Sequence, residues 1–205
     1  MQHEFSAPRL ILGSSSVYRA ELLRRLRVPF SIAVPEIDER PTAGESASHT
    51  AQRLALQKAQ KVASQVEPAV IIGSDQVAVL DGEHIGKPGN HASALQQLER
   101  MQGRTVIFHT ALCVLDARTQ PEIIQRALVD TAVTFRNLPT ELLDRYLHIE
   151  QPYDCAGSAK NEGLGIALIA SLSSADPTAL TGLPLIALSG MLMKAGVDLF
   201  NTATQ

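Results

Sequence analysis

Hydrophobic and polar positions along the chain repeat with two different periods, which predicts strands and helices in alternation. Apolar runs or partial alternation predict strands at residues 10–12, 30–34, 70–80, 105–115, 123–135 and 166–169. Apolar positions at helical spacing predict helices at residues 17–27, 48–65, 90–101, 139–149 and 184–196. The two longest strands are consecutive and alternate in part, as half-buried antiparallel strands do. The order therefore predicts an α/β fold with a mixed sheet and flanking helices.

The chain shows no internal repeat, no low-complexity tract and no clear linker. Its 205 residues are enough for one large domain or two small lobes. We expect a single domain over residues 1–205, with two lobes around a cleft as one possible arrangement. We expect residues 1–8 and 198–205 to be flexible ends.

The composition argues against several classes of protein. A net charge of −3 and an aromatic content of 4% disfavour a nucleic-acid-binding surface. The amino-terminal residues lack the apolar core of a secretory signal, and residues 183–193 are too short a stretch to cross a bilayer. Cys113 and Cys155 have no metal-type or redox-type spacing, so we expect both to be small buried side chains in a reducing cytoplasm.

Asp75 is the most informative polar residue, because it interrupts the apolar run 70–80. An ionised carboxylate in a buried strand loses its hydration, which is costly unless a cation, a metal ion or several donors compensate. One interpretation is that Asp75 takes part in chemistry. The other is a hydrogen-bonded structural aspartate at a bend marked by Gly73 and Ser74.

A second candidate site follows the first predicted strand, where Gly13 leads through Ser14, Ser15 and Ser16 into a helix. Free backbone N–H groups, the positive end of the helix dipole and hydroxyl donors suit a phosphate group there. Arg19 in the first helical turn can grip phosphate oxygens with two donors. The alternative is an ordinary serine cap followed by a solvated arginine.

Two lysines and an acidic loop complete the candidates. Lys58 falls near the centre of an apolar helical stripe, so its ammonium must either reach solvent or meet an anion. Lys87 lies in a stiff Gly-Lys-Pro turn, and Glu39 ends an acidic loop; each signal is weak alone. Acids beside a phosphate site are useful when a magnesium ion bridges protein and substrate oxygens. Together these groups suit a metal-bound polyphosphate attacked by water.

Six segments resemble those of a known family in order and spacing: 14–19 (SSSVYR), 37–39 (IDE), 56–59 (LQKA), 73–76 (GSDQ), 86–88 (GKP) and 155–158 (CAGS). They are similar to the Maf family of nucleoside triphosphate pyrophosphatases over about residues 10–193. The resemblance implies an elongated mixed α/β fold like that of inosine triphosphate pyrophosphatases, with a nucleotide cleft between two lobes. It also implies a divalent metal cation (magnesium, manganese or cobalt) and a homodimer.

The resemblance further implies a role for each site residue. Asp75 would accept a proton from the water that attacks the α-phosphate, which releases a nucleoside monophosphate and pyrophosphate. Glu39 and Asp75 would hold the metal. The groups that would bind the phosphates are Ser14, Ser15, Ser16, Arg19, Lys58 and Lys87.

Tyr18, Gln76 and Glu162 match the positions that distinguish the branches of the family. An aromatic residue, Gln and Glu at these positions resemble the branch that hydrolyses 7-methyl-GTP. Glu162 can accept hydrogen bonds from guanine N1–H and the 2-amino group, and Tyr18 can stack on a positively charged methylated purine. The structural alternatives are local packing of Tyr18 and a solvated Glu162. Val17 and Ala20 depart from the proline and arginine that are usual there.

The sequence therefore predicts a cytoplasmic, metal-dependent pyrophosphatase acting on 7-methyl-GTP or a related modified nucleotide, with no nucleic-acid or membrane partner. A dTTP/UTP pyrophosphatase of the same family is one alternative. A nucleotide-binding regulator linked to cell division is the other.

Overall fold

A seven-stranded mixed sheet forms the centre of the computed structural model, which describes residues 8–200. The strands are β1 (Leu10–Gly13), β2 (Ser31–Ala33), β3 (Val70–Leu80), β4 (Glu83–Ile85), β5 (Thr105–Asp116), β6 (Ile123–Phe135) and β7 (Ile169–Ser174). The α-helices are α1 (Val17–Arg24), α2 (Ala47–Ala63), α3 (His91–Met101), α4 (Thr140–Glu150) and α5 (Leu185–Lys194). Short 3₁₀ helices lie at Ala156–Ser158 and Leu164–Leu168. The predicted α/β class with a mixed sheet is confirmed.

The central strand β3 has an open stretch along one edge. The strand order is β2-β1-β3-β5-β6-β7, and β4 lies on the same side of β3 as β1. Parallel β1 pairs with β3 as far as Gly73, whereas antiparallel β4 pairs with β3 only from Ala78 onward. Among the described residues, positions 74–77 therefore have β5 as their only neighbouring strand. Because β1 and β4 both end at this gap, the segments that follow them leave the sheet there.

Alternation of side chains along β3 divides the core into two faces. Ile71 packs among the small residues of α2, in a cluster with Ala55 and Ala59. Ile72 packs on the opposite face, in a cluster with Leu188 of α5. The residues that follow in β3 keep this alternation, so Asp75 faces α2 and Gln76 faces the turn before α5.

Helix α2 lies very close to β3 because Gly73 has no side chain. A Cβ atom at Gly73 would lie 2.2 Å from the carbonyl oxygen of Ala55 and 2.9 Å from the backbone nitrogen of Ala59. Both neighbours are backbone atoms in a fully buried helix face, so they cannot move aside at small cost. This contact brings Lys58, in the same helical turn, next to Asp75 two residues along the strand.

Several predicted boundaries differ from the structure. The first helix ends at Arg24 rather than at residue 27, where Arg27 adopts a left-handed backbone with φ of 54°. The predicted strand at residues 166–169 was wrong, because these residues belong largely to a 3₁₀ helix and β7 begins at Ile169. The sheet edge β7 is rich in exposed serine, so it lacks the apolar pattern that marks a strand.

A short hairpin, β3–β4, was predicted only as a turn at Asp81 and Gly82. Both turn residues have positive φ, 50° and 82°, which a two-residue hairpin turn requires and which glycine adopts without strain. No helix among residues 8–200 is both long and apolar enough to cross a bilayer. The flexible ends predicted at 1–8 and 198–205 fall mostly outside the described residues. The single domain, its two lobes and the homodimer stay predictions.

Candidate active site

A cavity of about 580 Å³ opens at the gap beside β3. Every residue that the sequence assigned to a site lines this cavity: Ser14, Ser15, Ser16, Tyr18, Arg19, Glu39, Lys58, Asp75, Gln76, Lys87 and Glu162. The loop after β1 supplies the serines, and the turn after β4 supplies Lys87. Because both strands end at the gap, the topology of the sheet explains why segments distant in sequence meet there.

Lys58 holds two carboxylates at the floor of the cavity. Its Nζ lies 2.7 Å from Asp75 Oδ1 and 2.8 Å from Glu39 Oε1. The side chains of Lys58 and Asp75 are only 7% and 10% exposed. A buried charge is tolerated when it is paired, so the ion pair explains how Asp75 fits in an apolar strand. Lys58 meets an anion, and the alternative in which it reaches solvent is wrong.

Glu39 differs from the other acids of its loop. Burial alone would raise the pKa of Glu39, but the hydrogen bond and charge of Lys58, with Lys87 and Arg19 nearby, hold that pKa below its usual range. The Asp38 side chain is similarly exposed, but it pairs with Arg40 at 2.6 Å rather than with Lys58. Glu39 therefore stays ionised beside the cavity, whereas its neighbour belongs to the outer surface.

Arg19 is held at the cavity wall rather than in solvent. Its Nε donates to the carbonyl oxygen of Gly182 at 2.8 Å, and its Nη1 donates to Ser14 Oγ at 3.3 Å. Burial lowers the pKa of Arg19, and the charges of Asp75 and Glu39 act in the opposite direction. The guanidinium is thus fixed in position before any ligand binds.

The three serines take different positions. Ser16 is the ordinary helix cap of the alternative interpretation, since its Oγ accepts a hydrogen bond from the backbone N–H of Arg19 at 3.3 Å. Ser14 is buried, and its Oγ accepts from the backbone N–H of Ser16 at 3.1 Å. Ser15 is exposed at the cavity rim. The cap and the arginine contact therefore coexist in one loop.

A turn at residues 176–183 supports this wall, and the sequence analysis did not identify it. The carbonyl oxygen of Gly182 accepts from both Arg19 and Ser74, the latter at 2.9 Å. Gln76 Nε2 donates to the carbonyl oxygens of Ala179 and Leu180, each at 3.0 Å. The amide nitrogen of Gln76 is therefore engaged with the turn, which leaves Oε1 as the atom that can face a ligand.

Asp176 fixes the turn from within. Its carboxylate is 2% exposed and accepts from Thr178 Oγ1 at 2.7 Å and from the backbone N–H of Ile186 at 2.7 Å. The second bond satisfies a free N–H group at the start of α5. The Asp-Pro-Thr segment is a typical turn signal, and it was the available clue to this support.

Tyr18 lines the cavity, and Lys160 lies next to its ring. Lys160 Nζ lies 5.6 Å from the centre of the Tyr18 ring, within the range of a cation–π contact. Burial raises the pKa of Tyr18, and neighbouring Cys155, Asp154 and Glu162 act in the same direction. The ring is therefore a neutral phenol with a face that attracts cations. The sequence analysis did not single out Lys160.

The two cysteines differ in burial. Cys113 is buried in the sheet as expected. Cys155 is only partly buried and lines the cavity, so the expectation of a fully buried side chain was wrong for it. Burial raises the pKa of each thiol to about 11, so both remain protonated near neutral pH.

Glu39 and Asp75 fit a hard divalent cation. Each gives one oxygen to Lys58, and Asp75 Oδ2 accepts no hydrogen bond from any residue between 8 and 200. Carboxylate oxygens are the ligands that magnesium and manganese prefer, and these ions usually complete their coordination with water and substrate phosphates. The donor set is therefore suitable for the expected metal.

Sequence comparisons relate the chain to one family and to several named proteins. The family described as "Maf-like protein" matches residues 9–195. A protein of Ralstonia nicotianae named 7-methyl-GTP pyrophosphatase is 61% identical over 193 residues, which cover 94% of this chain and 98% of the relative. Proteins of the same name from Cupriavidus metallidurans and Paraburkholderia xenovorans are 60% and 59% identical over 94% of this chain, and 96% and 94% of the relatives are covered.

Proposed function

The chain belongs to the Maf family, and from this premise we propose that its cavity hydrolyses 7-methyl-GTP to 7-methyl-GMP and pyrophosphate. The observation that carries the proposal is the Asp75–Lys58–Glu39 cluster, in which Asp75 and Lys58 are buried and which opens onto the same cavity as Arg19 and Lys87. Relatives named for this activity support the choice of substrate. We also propose a cytoplasmic location, which a nucleotide substrate supports.

Cationic groups around the cavity bind the triphosphate. Arg19, Lys58 and Lys87 oppose its negative charge, and the backbone and hydroxyl groups of residues 14–16 add donors at the start of α1. Positioning and charge stabilisation are most of what phosphoryl transfer requires from a protein. Because Arg19 is already fixed by Gly182 and Ser14, little ordering is needed when the substrate binds.

Asp75 acts as the general base. Lys58 fixes the orientation of the carboxylate through Oδ1, so Oδ2 is left to accept a proton from the attacking water. Attack at the α-phosphorus forms the new P–O bond of the monophosphate, and the electron pair of the broken P–O bond leaves with pyrophosphate. A divalent cation held by Glu39 and Asp75 would supply further neutralisation of phosphate charge.

The base of the nucleotide lies at the Tyr18 end of the cavity. A 7-methylguanine ring carries positive charge, so it is attracted to the face of the Tyr18 phenol ring. In the structure, the ammonium of Lys160 lies over this face. Glu162 accepts hydrogen bonds from the N1–H and 2-amino groups, which uracil and thymine do not present. This combination favours a methylated guanine over a pyrimidine.

A panel of substrates tests the proposal. Pyrophosphate release is measured with magnesium, manganese and cobalt for 7-methyl-GTP, GTP, dTTP and UTP. We expect the highest kcat/KM with 7-methyl-GTP. A preference for dTTP or UTP would instead assign the chain the pyrimidine activity, and no release from any triphosphate would reject the enzyme.

Glu162→Gln is expected to lower kcat/KM for 7-methyl-GTP and GTP by about 10-fold to 100-fold, because a charge-assisted hydrogen bond contributes roughly 1.5–3 kcal/mol. The kcat/KM values of this variant for dTTP and UTP should not fall. Steady-state kinetics on the four nucleotides measure the change, and the exposed Glu67→Gln serves as a matched control outside the cavity. Unchanged kinetics on both purines would remove Glu162 from base recognition.

A further inference from the structure

A cluster of two histidines and one aspartate lies outside the cavity, between α3 and α4. His91 is the first residue of α3, and Asp144 and His148 lie four residues apart on one face of α4. One ligand atom from each of the three side chains lies within 4.8 Å of the others. None of these residues lines the cavity, so the proposed hydrolysis does not use them.

Both oxygens of the Asp144 carboxylate face an imidazole. His91 Nε2 lies 2.8 Å from Asp144 Oδ1, and His148 Nδ1 lies 3.4 Å from Asp144 Oδ2. The two imidazole rings have centroids 4.5 Å apart. The carboxylate and both rings therefore converge on one small volume.

The second nitrogen of His91 is oriented by Tyr153. His91 Nδ1 lies 3.1 Å from the Tyr153 hydroxyl, which also lies 3.3 Å from the carbonyl oxygen of Leu147. When the hydroxyl donates its one hydrogen to Leu147, His91 Nδ1 must donate to Tyr153. Tyr153 therefore engages Nδ1, which leaves Nε2 as the His91 nitrogen that faces the Asp144 carboxylate.

We propose that His91, Asp144 and His148 bind a transition-metal ion of the zinc class. Two imidazoles and one carboxylate are a common ligand set for zinc, with the fourth position left to water on the exposed side of His148. The Tyr153 hydroxyl fixes the tautomer of His91, as groups behind metal-bound histidines usually do. His148 Nδ1 also lies 2.9 Å from the backbone carbonyl oxygen of Asp144, so this nitrogen must leave that carbonyl when it binds the ion.

This site is chemically distinct from the carboxylate pair in the cavity. Nitrogen ligands select zinc or cobalt, whereas Glu39 and Asp75 offer only oxygen and suit magnesium or manganese. The site also lies close to the cavity wall. The Tyr153 carbonyl oxygen accepts a hydrogen bond from the backbone N–H of Gly89 at 3.0 Å, and the next residue, Asp154, lines the cavity. The ion would join α3 and α4 behind that wall.

Cobalt titration of the full chain without a histidine tag, in excess magnesium, tests the site. We expect one equivalent of cobalt to give the visible absorption of a nitrogen-ligated ion, and zinc to displace it. His148→Ala removes an exposed ligand and should weaken cobalt binding at least about 10-fold. His109→Ala is the matched control, because His109 pairs with Asp130 at 2.7 Å without a third ligand, and its binding should equal that of the unaltered chain.

Thermal unfolding gives a second readout that needs no nucleotide. Zinc at about 100 times its Kd should raise the Tm by about 5 °C in the unaltered chain, and the same zinc concentration should give about half this rise or less in His148→Ala. Asp75→Asn should keep the rise, which separates this site from the cavity. The proposal is overturned if the unaltered chain binds neither zinc nor cobalt, or if His148→Ala binds cobalt as tightly as the unaltered chain.

Discussion

Asp75→Asn is expected to lower the rate of pyrophosphate release from 7-methyl-GTP by about 10²-fold to 10⁴-fold, the usual contribution of a general base. The amide has the shape of the carboxylate and keeps an oxygen for Lys58, but it cannot accept a proton from water. Lys58 also retains Glu39 at 2.8 Å, so the buried ammonium does not lose its charge partner. Single-turnover kinetics with saturating enzyme measure the chemical step directly.

Asp81→Asn is the matched control, since it makes the same change at the exposed turn residue that follows the same strand. It should leave the rate within about twofold. A rate for Asp75→Asn close to that of the control would remove Asp75 from the chemistry. If hydrolysis is lost while nucleotide binding and a cellular effect persist, the regulator becomes the better description of the protein's physiological role.

Gly73→Ala is expected to destabilise the fold by roughly 1–3 kcal/mol or more, because the new methyl group collides with the backbone of α2. The Cβ atom of an alanine at position 73 would lie 2.2 Å from the Ala55 carbonyl oxygen, so either the helix or the strand must shift. A shift of α2 also moves Lys58 away from Asp75, and we expect kcat to fall together with the Tm. Urea unfolding and pyrophosphate release on the same preparation measure both effects.

Gly190→Ala provides the opposite result from the same substitution. Gly190 lies inside α5, and a Cβ there meets nothing within 4 Å. Alanine forms helix better than glycine by about 0.8–1.0 kcal/mol, so this variant should be equally or more stable. Equal stability of Gly73→Ala and Gly190→Ala would contradict the close approach of α2 to β3.

The local pattern of the sequence was sufficient to predict the long helices and strands and part of the candidate site. Apolar runs and helical spacing found β3, β5 and α2, because each of these buries apolar side chains along most of its length, and partial alternation found β6. Lys58 and Asp75 were conspicuous for the same reason, since a charge within an apolar pattern needs a partner. Their mutual contact could not be read from spacing alone, and it depends on the close packing at Gly73.

Features that depend on distant contacts could not be predicted in this way. The bond from Arg19 to the Gly182 carbonyl joins residues 163 positions apart and has no local signature. Strand β4 has three residues, and its register with β3 defines it rather than its own composition. The turn at 176–183 showed turn residues, but only the fold reveals that its carbonyls orient Arg19, Ser74 and Gln76.

Hydrolysis of 7-methyl-GTP in water enriched in ¹⁸O tests the central proposal most directly. Mass spectrometry of the two products identifies which phosphorus the water attacked. We predict one ¹⁸O atom in 7-methyl-GMP, unlabelled pyrophosphate, and a rate of product formation about 10²-fold to 10⁴-fold lower with Asp75→Asn. Release of inorganic phosphate with 7-methyl-GDP, label in pyrophosphate, or no cleavage of 7-methyl-GTP would contradict attack at the α-phosphate in this cavity.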